Sequence, residues 1–112
     1  MTTYLLLIYD NEQRWAKGYD PEEMKEYGVF GNEFRTQIKG GHALKPTKSA
    51  TTVRVREGKR LTTDGPFAET KEQLSGYYLI EARDLDEALK IAGKIPAAKY
   101  GSIEVRPIMK FD

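Results

Sequence analysis

Apolar positions fall into two unbroken runs and two spaced stripes. Tyr4-Leu5-Leu6-Leu7-Ile8-Tyr9 is the first run. Its length suits a strand buried on both faces and is far too short to span a bilayer. The second run is Tyr77-Tyr78-Leu79-Ile80, inside a strand expected over Gly76–Arg83. Asp20-Pro21-Glu22-Glu23 reads as a helix start, with Asp20 capping, Pro21 in the first turn and Glu23 closing a capping box. Met24, Tyr27, Phe30, Phe34 and Ile38 then recur every three or four residues, which predicts one helix from Pro21 to Lys39, ended by Gly40-Gly41. Asp84-Leu85-Asp86-Glu87 opens a second helix. Leu85, Ala88, Ile91, Ala92 and Ile95 form its stripe, and Pro96 stops it.

Shorter signals fill the gaps. His42–Lys45 reads as a brief strand before Pro46. Thr51, Val53 and Val55 alternate with Thr52, Arg54 and Arg56, and Arg60–Asp64 supplies a return strand. A three-residue loop, Glu57-Gly58-Lys59, puts Val55 opposite Leu61 and places Asp64 on the face of Arg54. Ser102–Met109 is the last strand, and Pro107 assigns it to an edge.

The resulting order, β-α-β-hairpin-β-α-β, predicts a single domain over residues 1–112: an α+β, ferredoxin-like βαββαβ sandwich with an inserted β-hairpin. Its two central strands are the two apolar runs. Two helices cover one face of a sheet, yet both runs present large apolar side chains to both faces. A homodimer packed sheet against sheet supplies the missing cover; a hairpin folded back over that face is the competing solution.

Composition narrows the function classes. Lys and Arg number 18 against 17 Asp and Glu, for a net charge of +1 and a pI near 7.9. That balance lacks the basic excess of a nucleic-acid binder. There is no cysteine and one histidine. Disulfides, zinc fingers and thiol catalysis are excluded, and neither a metal nor a cofactor is expected. The first run has no basic flank, so no signal peptide or membrane anchor is expected, and a cytoplasmic location follows by default.

Asp64 is the leading candidate for chemistry. A carboxylate at a strand end before Gly65-Pro66 can enter a cleft and act as a general base; it can equally cap its own turn or pair with Arg54. Glu69, Lys71 and Glu72 add acid, base and cation within nine residues of it. Lys71 suits an anionic ligand, and Glu72 suits a solvated surface. His42 is a candidate base or a simple turn residue. Arg54 can hold a carboxylate or phosphate in bidentate fashion, as can Arg56 and Arg106. Tyr9, Tyr77 and Tyr78 can line an aromatic pocket or serve only as core.

The block Asp64-Gly65-Pro66-Phe67-Ala68-Glu69-Thr70-Lys71-Glu72, with Tyr4–Tyr9, Ala50–Arg54, Gly76-Tyr77-Tyr78, Ile95-Pro96 and Glu104-Val105-Arg106-Pro107, resembles the DGPF or YCII-related family nearly end to end. That resemblance implies a ferredoxin-like fold assembled as a dimeric α+β barrel. It implies little about activity. A His–Asp active site is proposed in the wider superfamily, elimination on small aromatic compounds is attributed to some relatives, and members accompany extracytoplasmic-function sigma factors. The first helix here carries no histidine, so a His–Asp pair does not transfer directly.

Two functions remain open. One is a small-molecule binding protein or cofactor-free enzyme of proton transfer, elimination or isomerisation, with its pocket near Asp64 and the Glu69–Lys71 loop. The other is a non-catalytic module that touches a protein partner in transcription regulation.

Overall fold

In the computed structural model, which describes residues 1–111, the strands are β1 (Thr2–Asp10), β2 (Ile38–Ala43), β3 (Thr51–Arg56), β4 (Lys59–Asp64), β5 (Gln73–Ala82) and β6 (Ser102–Pro107). The helices are α1 (Pro21–Glu33) and α2 (Leu85–Gly93). One antiparallel sheet runs β2-β5-β1-β6, and β3-β4 form a separate two-stranded ribbon. The two apolar runs are central, as their composition requires, and Pro107 lies on an edge strand.

Alternation divides the sheet cleanly. Tyr4, Leu6, Ile8 and Asp10 of β1 are buried, as are Ile80 and Ala82 of β5. The apolar ones meet Phe30 of α1, Ala88, Ile91 and Ala92 of α2, and Ile95 and Ala97 beyond it. The intervening residues pair on the other face: Leu5 with Leu79, and Leu7 with Tyr77. Among the described residues, no helix covers that second face. It has Leu5, Leu7, Tyr77 and Leu79 at its centre, with Glu104 and Arg106 beside them on β6.

Three expectations need correction. The first helix stops at Glu33, not Lys39, with Phe34 as its C-cap. The strand expected over His42–Lys45 starts earlier: Ile38, Gly40 and Gly41 join the edge strand β2, and Ile38 pairs with Ile80. Gly41 is therefore not a helix stop. A Cβ there would lie 2.6 Å from the Tyr77 carbonyl oxygen, so only glycine fits beneath Tyr77 and Tyr78. The hairpin turn contains two residues, not three. Glu57 (φ 52°) and Gly58 (φ 75°) both take the left-handed region that a tight two-residue turn requires. Arg54 consequently opposes Leu61, Val55 opposes Arg60, and Asp64 opposes Thr51. Asp64 and Arg54 thus point to opposite faces of the ribbon.

The hairpin does not roof the second face. Every residue of its strands except Thr52 is exposed, and the molecule measures 46 × 45 × 19 Å. Its radius of gyration is 15.9 Å, against about 13 Å for a compact chain of roughly this length.

Both main helices begin at the expected cap, but only α2 forms the full capping box: Glu23 is taken by Arg14 instead of the Asp20 N–H. The side chain of Asp20 accepts from the Glu22 N–H, and that of Asp84 from the Glu87 N–H, while Glu87 reaches back to the Arg83 N–H. Asp84→Ala should lower stability by about 1 kcal/mol, the worth of an N-cap. Urea denaturation would measure it; an unchanged midpoint would show that this cap contributes nothing.

Candidate functional site

A cavity of about 370 Å³ opens at one end of the sandwich. Its floor is the end of β1 (Ile8, Asp10), the start of β5 and the end of β2. Its roof is the single-turn 3-10 helix Glu12–Trp15 and the first two turns of α1.

The roof is fastened by one arginine. Arg14 donates to both oxygens of Asp10, with its terminal nitrogen at 2.5 Å, and to both oxygens of Glu23 at 3.0 and 3.2 Å. The guanidinium also lies 4.1 Å from the Tyr100 ring centroid. Asp10 is only 3% exposed; it accepts from the Asn11 N–H as well. The hydrogen bonds to Asp10, then those to Glu23, push the already high Arg14 pKa further up. The arginine stays cationic and ties the 3-10 turn to both β1 and α1.

Aromatic groups fill most of the remaining wall. Trp15 and Tyr19 stack with centroids 5.5 Å apart. Tyr78 projects from β5 toward the helices and meets Phe30 at 5.1 Å. Tyr27 approaches from α1. Desolvation raises the pKa of Tyr27 well above the ordinary phenol range; nearby Glu23 and Tyr78 add to the shift, and a backbone contact with Ala97 opposes it. Desolvation also raises Tyr78. A phenol holds its proton at neutral pH even at its ordinary pKa, so both remain hydrogen-bond donors there.

The residues singled out from sequence do not assemble into one site. Tyr78 lines the cavity. His42 borders it from β2, but pairs with Tyr77 across the strands. The pairing of Tyr77 with Leu7 places both side chains on the open face, where His42 Nδ1 lies 2.9 Å from the Tyr77 hydroxyl. Tyr9 shares that open face by alternation with Leu7. Asp64, Arg54, Glu69 and Lys71 are all exposed and none lines the cavity. Arg54 instead stands 5.7 Å from the Phe67 ring centroid. Asp10, Arg14, Glu23 and Tyr27 are functional candidates that sequence reasoning misses. Asp10 carries a legible signal: it continues the Tyr4, Leu6, Ile8 alternation to the core side, with an arginine four residues on.

The layers and the end cavity define an α+β sandwich of the ferredoxin-like class. The chain belongs to the YCII-related domain family, whose pattern it matches over residues 2–112. It is 40% identical over 112 aligned residues to an uncharacterised protein of Rhizobium meliloti, covering 94% of this chain and 90% of that one. Its fold is similar to that of 5-chloro-2-hydroxyhydroquinone dehydrochlorinase from Burkholderia phenoliruptrix, solved in complex with 2,5-dihydroxybenzoquinone. The TM-score is 0.50 at 13% identity, over 93% of this chain and 90% of that one. Among the described residues, no helix is long and apolar enough to cross a membrane.

Proposed function

We propose that the end cavity binds a small ring compound and that its chemistry, where it performs any, is cofactor-free proton transfer. The observation that supports this reading is a cavity of about 370 Å³ whose wall is largely aromatic and includes the Tyr27 and Tyr78 phenols. Small-molecule sites are typically apolar clefts of about 300–1,000 Å³ with a few convergent polar groups. Tyr27 and Tyr78 would donate to ring oxygens, Trp15 would stack, and Asp20, with only one oxygen engaged by a hydrogen bond among the described residues, would accept a proton. The quinone ring bound by the similarly folded dehydrochlorinase agrees in size with such a cavity.

Trp15 is the sole tryptophan, so its fluorescence reports on the cavity directly. Hydroquinone is expected to quench it saturably. Tyr78→Phe should weaken that binding by about 2- to 10-fold, the worth of one hydrogen bond, while Asp64→Asn leaves it unchanged. If neither Tyr78→Phe nor Tyr27→Phe alters the affinity, the assignment of donors is wrong.

We further propose a homodimer joined through the open sheet face, where His42, Tyr77 and Tyr9 would then meet a second copy. The alternative of a non-catalytic protein-binding module draws support from the exposed hairpin. Val53 and Val55 are 58% and 62% exposed, and Arg54, Arg56, Lys59 and Arg60 stand beside them. Asp64, Glu69 and Lys71 would serve that reading rather than the cavity.

A further inference from the structure

We infer that the end cavity accepts neutral or cationic ring compounds and turns away anionic ones. This rests on the proposal that the cavity binds small molecules, and it names their charge class. Three carboxylates line the cavity, Asp10, Asp20 and Glu23, against one guanidinium, Arg14, which leaves two formal negative charges in its wall. Among the described residues, no lysine contributes to that wall.

Arg14 is also spent. Its Nε and both terminal nitrogens donate to Asp10 and Glu23, and Tyr100 lies against the guanidinium. A ligand carboxylate or phosphate could reach Arg14 only by displacing a carboxylate already bound there. One such carboxylate, on Asp10, is buried and cannot retreat to water without opening the end of β1. Among the described residues, an incoming anion would therefore meet repulsion with no free lysine or arginine in the wall to offset it, and the other basic side chain there, His42, has its Nδ1 on the Tyr77 hydroxyl. Asp20 is different: one of its oxygens caps α1 by accepting from the Glu22 N–H, and among the described residues no hydrogen bond engages the other. An ammonium group fits that position, and the faces of Trp15 and Tyr19 attract cations in the same way. A neutral hydroxylated ring needs only the two phenol donors.

Three probes of one shape test the charge class: benzylamine, benzyl alcohol and benzoate, each titrated at pH 7 against the full chain by Trp15 fluorescence and calorimetry. Benzoate is expected to bind about tenfold or more weakly than benzyl alcohol, and benzylamine at least as tightly as the alcohol. Asp20→Asn keeps a capping side chain, so the fold survives, and it should narrow the gap between benzylamine and benzoate. Rising salt should narrow it as well. Benzoate binding as tightly as benzyl alcohol, or a gap unchanged in Asp20→Asn, would overturn the charge assignment while leaving the binding cavity intact. A response to none of the three probes would overturn the binding proposal itself, and this inference with it.

Discussion

Arg14→Met is expected to destabilise the protein by about 3 kcal/mol, because it leaves the buried Asp10 carboxylate without its cation, and an uncompensated buried charge typically costs about 3–5 kcal/mol. Asp10 is the group left behind. It is 3% exposed; the Asn11 N–H that it keeps and the partial exposure of Arg14 hold the expectation at the lower end. Methionine preserves most of the aliphatic stem, so the loss measures charge and hydrogen bonding rather than volume. Urea denaturation of wild type and variant would give the difference. Asp10→Asn in the Arg14→Met background should recover part of it, since the stranded charge is then gone. A variant as stable as wild type, or a double variant less stable than Arg14→Met alone, would show that the pair does not hold the roof. The same substitution should weaken hydroquinone binding, because the 3-10 turn carrying Trp15 loses its tie to both β1 and α1.

That ion pair also shows where sequence reasoning reaches and where it stops. The two apolar runs are legible as central strands because no other segment of the chain can be buried on both faces. Both helix starts are legible because a cap is a local hydrogen-bonding device, set by residues two or three apart. Ends are harder. The stripe of α1 continues in register through Phe34 to Ile38, yet Ile38 pairs with Ile80 in the sheet, and a long-range contact of that kind leaves no local trace. Gly40-Gly41 looks the same whether it ends a helix or lets one strand approach another closely. The hairpin register turns on one residue. Glu57 adopts a positive φ that asparagine or glycine would announce and glutamate does not. The site escapes sequence reasoning for a related reason. The conspicuous block from Asp64 to Glu72 draws attention to the exposed ribbon, whereas the cavity is assembled from β1, β5, β2 and α1. Extending the alternation of β1 by a single residue places the Asp10 carboxylate on the core side and demands a cation.

Leu7→Lys should convert the proposed dimer to a folded monomer, raising its dissociation constant by about 100-fold or more, as expected for an unpaired charge forced into an apolar interface. Leu7 lies at the centre of the open face, opposite Tyr77 on one side and Glu104 on the other. In an isolated subunit a lysine there would reach water past Glu104 at little cost, so circular dichroism and thermal unfolding of the monomer should remain cooperative. In a dimer the same ammonium would be trapped between two sheets, once in each copy. Light scattering across a micromolar concentration series reads the outcome directly. Wild type with the mass of one chain at every concentration would remove the dimer, and Leu7→Lys with an undiminished dimer mass would move the interface elsewhere, with the exposed hairpin as the next surface to test. The physical ground for expecting the first result is that the hairpin, which would otherwise roof this face from within, has nearly all of its strand residues in water.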